Sequence, residues 1–194
     1  MLSTRANKSI NKNFQTTIEK VDFSTERMEK DYESTEFRSC NFNDISGVNF
    51  TDCQFSSCNL SNASVNKCKA QDVTFKDCKL IGINFYQVLD FGLSLHFVNC
   101  MLDYASFDNK KMNKSSFKNC RLHGVNFTKT DLSKVTMENC DLLDAVFSGT
   151  NLNGMDFTTN RNFSLDPANN LVKKTKFASA TLAGLLTKFD IIIE

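Results

Sequence analysis

Long apolar runs are absent from this sequence of 194 residues. Because a membrane-spanning helix needs about 18 to 20 consecutive apolar residues, no transmembrane helix is predicted. The segment Met1–Lys20 is polar and lacks the apolar centre of a signal peptide, so we expect a cytoplasmic protein with no membrane partner. At this length the chain is predicted to form one domain, or one repeat array with additions at its ends.

Residue types that build metal and catalytic sites are also scarce. The two histidines are His96 and His123, and no Cys-x-x-Cys pair occurs, so the ligand spacing of a zinc site is missing. The 7 glycines form no phosphate-binding loop, and no Ser–His–Asp or Cys–His set is recognisable. We therefore predict that the protein is not an enzyme and uses neither a metal nor another cofactor.

An excess of charge of one sign is missing as well. The formal net charge is +1, and residues 31–165 carry 13 basic and 15 acidic side chains. A basic run extends from Lys110 to Arg121, but it would wind around three successive faces of the fold predicted below. We therefore predict no patch that binds nucleic acid directly.

The sequence is rich in apolar residues at every fifth position. From Phe97 to Phe157 this period has no slip, and it is neither the 3.6 of a helix nor the 2.0 of a flat strand. A period of twenty is superimposed on it, once a step of eight (Phe42 to Phe50) and a step of twelve (Phe85 to Phe97) are allowed for. We predict an all-β solenoid of about six coils over residues 32–163, with four five-residue faces per coil.

Equivalent residues of successive coils form columns, which we number as faces 1 to 4, starting from the Cys-x-Leu column. Stacked coils bury a continuous interior and bond their backbones to one another. The predicted core consists of Cys58, Cys78, Cys100, Cys120 and Cys140 with Leu60, Leu80, Leu102, Leu122 and Leu142 on face 1, Phe127 and Phe147 on face 2, and Phe75, Phe97 and Phe117 on face 4. All eight cysteines occupy the slot two residues before a face centre, so we interpret them as reduced core residues.

Face 3 is predicted to hold both irregular steps and to bulge over residues 86–95, which contain the two-residue insertion. Loops on a solenoid face often carry binding. The candidate partner-binding residues are Tyr86, Gln87, Asp90 and Phe91. Lys110 falls in an inward slot one coil further on. It either pairs with Asp90 or, as we favour, extends its ammonium out to solvent.

The two ends are predicted to differ from the coils. Residues 1–31 are expected to form an N-terminal arm and cap, with a short helix near Gln15–Lys20. Residues 164–194 are expected to form a turn at Pro167, a helix over about 180–187 capped by Ser179, and a terminal strand. This segment is more apolar than capping requires, so we predict a homodimer. Its interface would contain Leu182, Leu185, Leu186, Phe189 and Ile191.

Motifs such as Cys78-Lys-Leu80-Ile-Gly and Thr130-Asp-Leu132-Ser-Lys make residues 32–157 resemble the pentapeptide-repeat family. That resemblance implies a right-handed quadrilateral β-helix. The tail, which ends Asp190-Ile-Ile-Ile-Glu194, is similar to that of Qnr-like members related to quinolone resistance, in which a C-terminal helix forms the dimer.

The Qnr-like resemblance implies a specific partner, DNA gyrase or topoisomerase IV, bound by imitation of duplex DNA and protected from quinolones. Mimicry needs dense negative charge, because duplex DNA carries about one charge per 1.7 Å of its axis. The near-neutral coil region departs from that requirement. We therefore expect a non-enzymatic protein-binding rod or scaffold, and keep the Qnr-like DNA mimic as the alternative.

Overall fold

The computed structural model describes residues 14–192, which form a parallel β-solenoid. On face 4, seven strands pair in the order β1-β3-β5-β7-β8-β9-β10, and on face 3 three strands pair in the order β2-β4-β6. The strands are β1 (Thr16–Glu19), β2 (Asp31–Glu33), β3 (Thr35–Arg38), β4 (Asn49–Thr51), β5 (Gln54–Ser56), β6 (Lys69–Gln71), β7 (Val73–Lys76), β8 (Leu95–Val98), β9 (Ser116–Lys118) and β10 (Thr136–Glu138). Isolated parallel bridges continue the ladder on the other faces.

The strand register confirms the twenty-residue coil. On face 4, Phe55 pairs with Phe75, Phe75 with Phe97, and Phe97 with Phe117, so phenylalanine stacks on phenylalanine across the two-residue insertion. The fold is thus the predicted β-solenoid with a short helical segment after it.

Two columns of stacked aromatic rings run through the interior. On face 4 the rings from Phe37 to Phe117 stack with centroids 4.8–5.4 Å apart and interplanar angles of 10–19°. On face 2 the rings from Phe85 to Phe147 stack at 4.7–5.5 Å. The two columns meet edge to face, as between Phe97 and Phe107. Each such aromatic pair stabilises the fold by about 0.5–1.5 kcal/mol beyond the effect of its buried area. All the residues predicted for the core are buried.

The slot two residues before each face centre has a second role beyond filling space. The Cys78 thiol donates to the carbonyl oxygen of Phe55 at 3.3 Å, and the Thr130 hydroxyl donates to that of Phe107 at 2.8 Å. The Asn170 amide does the same to Phe147 at 3.1 Å. In each case the acceptor belongs to the preceding coil. The slot therefore favours small side chains that can satisfy a buried carbonyl group.

The corner after face 4 is a column of residues with left-handed backbone. Asp77, Asn99, Asn119 and Asn139 have φ between 54° and 56°, a region that Asn and Asp tolerate better than most residues. Their side chains form a ladder: each asparagine amide donates to the residue one coil earlier, at 2.9, 3.1 and 3.3 Å.

At the N-terminal end the predicted helix near Gln15–Lys20 is wrong. Thr16–Glu19 is strand β1, paired in parallel with β3. Consecutive β-branched residues and an open sheet edge favour a strand there. The ladder thus begins before residue 32, which we had predicted as its start, while residues 1–13 of the predicted arm lie outside the described residues.

At the C-terminal end the ladder continues past residue 163, since Asn151 pairs with Leu171 and Asp156 with Lys176. The predicted helix is present as two 3-10 helices, Ser179–Leu185 and Thr187–Phe189, and Ser179 is its first residue rather than its cap. Two further 3-10 helices span Phe85–Gln87 and Pro167–Asn169. None of the helices within residues 14–192 is long and apolar enough to cross a membrane.

Two further features of the predicted layout need correction. Residues 190–192 of the predicted terminal strand are not a strand, and its residues 193–194 lie outside the described residues. The deletion does not lie on face 3, since Asp44 pairs with Ser64 and so places Ile45 in the face 2 column. The shortened step therefore falls at the corner between faces 1 and 2, where Phe42 leads directly into face 2.

Candidate functional site

The residues 85–94, here called the insertion loop, interrupt face 3 between the coil of Ala70 and the coil of Met112. The loop begins as the 3-10 helix Phe85–Gln87, turns inward at the buried Val88, and returns to the core at Leu93. Between these two anchors the chain projects outward. Phe91 at the tip is 85% exposed, the most exposed aromatic side chain among the described residues.

A buried lysine holds the base of the loop. Lys110 is 5% exposed, and its ammonium donates to the carbonyl oxygen of Val88 and, at 2.7 Å, to the carboxylate of Asp90. Our favoured prediction, that Lys110 extends to solvent, is therefore wrong, and the pairing with Asp90 is what forms. The inserted residues place the Val88 carbonyl oxygen over the slot that Lys110 occupies. Burying the Lys110 ammonium there without a partner would cost several kcal/mol.

The other end of the loop is held by a polar group that the sequence reading did not find. The hydroxyl of Ser94 donates to the Lys114 carbonyl at 3.0 Å and lies 3.2 Å from Nε2 of His96. Nδ1 of His96 lies 2.9 Å from the hydroxyl of Ser116, and a carboxylate oxygen of Asp72 lies 3.4 Å from Nε2. Asp72, His96 and Ser116 belong to three successive coils and meet because these coils stack.

This polar group borders an open depression of about 630 Å³ beside Phe91. It contains Ser, His and Asp, but Ser94 and Asp72 approach the same nitrogen of His96. In a catalytic triad the carboxylate must hold the opposite nitrogen from the nucleophile. Since Ser94 is also buried, this group supports the loop rather than a hydrolytic reaction.

The four candidate binding residues are not equivalent. Asp90 and Phe91 project from face 3, whereas Tyr86 and Gln87 lie at the face 2 end of the loop. Tyr86 is 46% exposed, and the backbone carbonyl of Gln87 accepts from Lys67 of the preceding coil. Phe91 and the exposed Leu89 are therefore the apolar side chains that the loop presents on face 3.

The C-terminal helices place their candidate residues on two sides. Leu185 packs against the core, and the carbonyl oxygen of Gly184 accepts from the backbone of Leu165 at 2.9 Å. A Cβ at Gly184 would lie 2.3 Å from the Phe163 carbonyl oxygen, so only glycine permits this close docking. The remaining candidates are exposed: Leu182, Leu186, Phe189 and Ile191.

The cysteines lie in the interior of the solenoid. All eight are buried and free of disulfides. Burial raises the pKa of Cys68 to about 12, and since the thiolate is the nucleophilic form, such a thiol is inert at neutral pH.

Face 1 carries charges that neutralise one another. Arg121 binds Asp103 of the preceding coil through two hydrogen bonds. Asp141 accepts from Asn162 at 2.8 Å and pairs with Arg161 at 3.1 Å. Burial raises the pKa of Asp141, but its hydrogen bonds and the nearby cations outweigh burial and hold that pKa below its usual range. Negative charge on this stretch of face 1 is compensated locally.

Family models match the regular part of the chain. A model described as a pentapeptide repeat region matches residues 110–186, and one described as pentapeptide repeats in eight copies matches residues 33–77 and 49–87. Together these matches cover more than half of the sequence. The chain belongs to the pentapeptide-repeat family. No curated protein matches it.

Solved structures share the fold of this pentapeptide-repeat protein. Two trypsin-treated variants of QnrB1, a plasmid-mediated fluoroquinolone resistance protein, match with TM-scores of 0.62 and 0.64 at 19% and 18% identity. Each match covers 92% of this chain, and 98% and 97% of the respective QnrB1 chain. HetL from the cyanobacterium Nostoc, involved in regulating heterocyst differentiation, matches at 10% identity with a TM-score of 0.41, over 83% of both chains.

Replacing Lys110 by Met is expected to release the insertion loop while the coils remain folded. The substitution leaves the Val88 carbonyl without its donor and removes the pair with Asp90, at a cost of about 1–3 kcal/mol. Amide hydrogen exchange should accelerate over residues 88–94. Lys114→Met is the control, because Lys114 is exposed on the same face. Equal exchange rates in both variants would show that Lys110 does not hold the loop.

Proposed function

We propose that this pentapeptide-repeat protein is a non-enzymatic rod or scaffold that binds another protein through its insertion loop. The observation that carries this proposal is the exposure of Phe91 on a loop that stacking does not need. A large aromatic side chain that enters a partner's pocket is a typical binding hot spot.

The loop is also ordered in advance of binding. Lys110 holds Val88 and Asp90, and Ser94 holds the far end. Association therefore has to immobilise little more than the Phe91 side chain, which lowers the entropic cost of binding.

Site-specific photo-crosslinking tests this role. A benzophenone amino acid in place of Phe91 should give a defined adduct that excess unmodified protein suppresses. The same probe at Tyr104 is the control, since Tyr104 is 73% exposed but lies on another corner. Phe91→Ala should weaken capture of the adducted partner at least about tenfold, a typical hot-spot effect. Indistinguishable adducts at both positions would argue against the loop as a binding surface.

The exposed apolar residues of the C-terminal helices support a second contact, a homodimer formed tail to tail. Leu182, Leu186, Phe189 and Ile191 are exposed on or directly after the C-terminal helices, and Leu185 packs the same segment against the core. A two-fold arrangement would bury this surface against its own copy.

The double variant Leu186→Asp with Phe189→Asp is expected to be monomeric, because it places charge within the apolar contact. Light scattering on the full chain at high salt, which screens contacts between exposed charges, measures the mass. Leu143→Asp serves as the control, since Leu143 is an exposed leucine on face 1. A wild-type chain that is already monomeric would overturn the tail-to-tail dimer.

A second candidate function is that of a Qnr-like DNA mimic that binds DNA gyrase or topoisomerase IV and protects it from quinolones. The fold shared with QnrB1 supports this candidate. The compensated charges of face 1 weigh against it, because a mimic needs a continuous negative band. A gyrase supercoiling assay, with and without a fluoroquinolone, separates the two: protection favours the mimic, and its absence favours the scaffold.

A further inference from the structure

The charges on face 3 are sorted along the rod. The half before the insertion loop is mainly acidic and the half after it is mainly basic. The acidic half holds Asp31, Glu33, Asp52 and Asp72 with Lys30 and Lys69; the basic half holds Lys111, Lys114, Lys134, Lys173 and Lys174 with Asp131. The exposed Leu89 and Phe91 lie between the two halves.

We propose that face 3 pairs with face 3 of a second copy of this chain, in antiparallel orientation, with the insertion loop at the centre. The inference rests on the binding role proposed for that loop and names its partner. Such an isologous contact requires a surface that complements itself after a two-fold rotation.

The register of the coils allows this requirement to be checked residue by residue. Face 3 consists of eight rows, centred on Tyr32, Phe50, Ala70, the insertion loop, Met112, Leu132, Leu152 and Val172. The two-fold axis would lie in the contact plane, parallel to the strands, between the fourth and fifth rows. It brings row three of one copy opposite row six of the other, and row one opposite row eight. Residues at the same position of their repeats then face one another.

Opposite charges meet in the pairs that this operation generates. In rows three and six, Lys69 faces Asp131, and each lies one residue before its face centre. In the same rows, Asp72 faces Lys134, both two residues after the centre. In rows one and eight, Glu33 faces Lys173. Charge complementarity of this kind selects partner and orientation more than it supplies affinity.

At the centre, rows four and five bring the insertion loop opposite the Met112 coil. Leu89 and Phe91 then lie near Lys111 and Lys114, where the aliphatic stems cover apolar surface and an ammonium can rest on the ring. The contact thereby covers the most exposed aromatic side chain of the described chain.

A second copy fits this face better than a polyanion does. A nucleic acid or an acidic peptide would be attracted by the lysines of the basic half but repelled by the carboxylates of the other half. Two of these carboxylates are held in place: Asp31 accepts from the Asn49 amide at 2.5 Å, and Asp72 lies 3.4 Å from His96. Eight rows at about 4.8 Å give a contact roughly 35 Å long, so we expect a weak, salt-sensitive pair.

Disulfide crosslinking in the full-length chain tests the register. Gln71 and Ser133 occupy equivalent positions in rows three and six, so the variant Gln71→Cys with Ser133→Cys should form covalent dimers under mild oxidation. Within one copy these rows are about 14 Å apart, which exceeds the reach of a disulfide. The eight native cysteines are buried. Gln71→Cys with Asn153→Cys, in rows three and seven, is the control, and equal crosslinking of both pairs would overturn the register.

Charge reversal tests the attraction in the same crosslinking variant. Asp72→Lys should slow dimer formation about tenfold, and adding Lys134→Asp should restore it, because each copy supplies both members of the pair. Lys129→Asp on face 2 makes the same charge change as Lys134→Asp at another place, so adding it to Asp72→Lys should leave dimer formation slow. Failure of the double reversal to recover would overturn the proposal.

The same experiments separate this inference from the proposed function. If the Phe91 photo-adduct has twice the mass of the chain, the partner is a second copy, as we propose. If the adduct contains a different protein and the cysteine pair does not crosslink, the pairing of face 3 is wrong while the binding role of the loop stands. The tail variants should leave face 3 crosslinking unchanged.

Discussion

The structure depends on one constraint: each coil must match the next at the spacing of backbone hydrogen bonds. Parallel neighbours lie about 4.8 Å apart, so inward side chains one coil apart have to stack directly on one another. The near-parallel rings from Phe37 to Phe117 and the slot donors from Cys78 to Asn170 are two results of that constraint. A substitution of an inward side chain in a middle coil therefore changes its packing against both neighbouring coils.

The same constraint explains how much of the fold was predictable from the sequence. Because the repeat sets which residues point inward, the period alone identifies the columns and the coil length. Prediction from the period fails where the chain departs from the repeat. Thr16–Glu19 looked helical because its pairing partner, β3, lies nineteen residues further on. The deletion was placed on the wrong face because spacing gives the missing length but not the corner at which the chain turns.

The candidate site was predictable in position but not in contacts. The two-residue insertion marked the loop, and Asp90 and Lys110 were recognised as neighbours. That Lys110 stays buried follows from the path of the inserted backbone, which brings the Val88 carbonyl over the slot. The group of Ser94, His96 and Asp72 spans two coils, and no pattern within either coil indicates it. Similarly, the sorted charges of face 3 appear only when residues about twenty apart are placed in one plane.

The slot hydrogen bonds also give the rod a direction. Many of the thiols, hydroxyls and amides in the slots donate to a carbonyl group of the preceding coil, as Thr130 does to Phe107 and Thr150 to Phe127. A newly added coil therefore closes the coil before it and leaves its own face-centre carbonyl groups open for the next. In this respect the two ends of the solenoid differ, as the ends of a polar filament do. The C-terminal helices dock at the later end, where the Gly184 carbonyl oxygen accepts from Leu165.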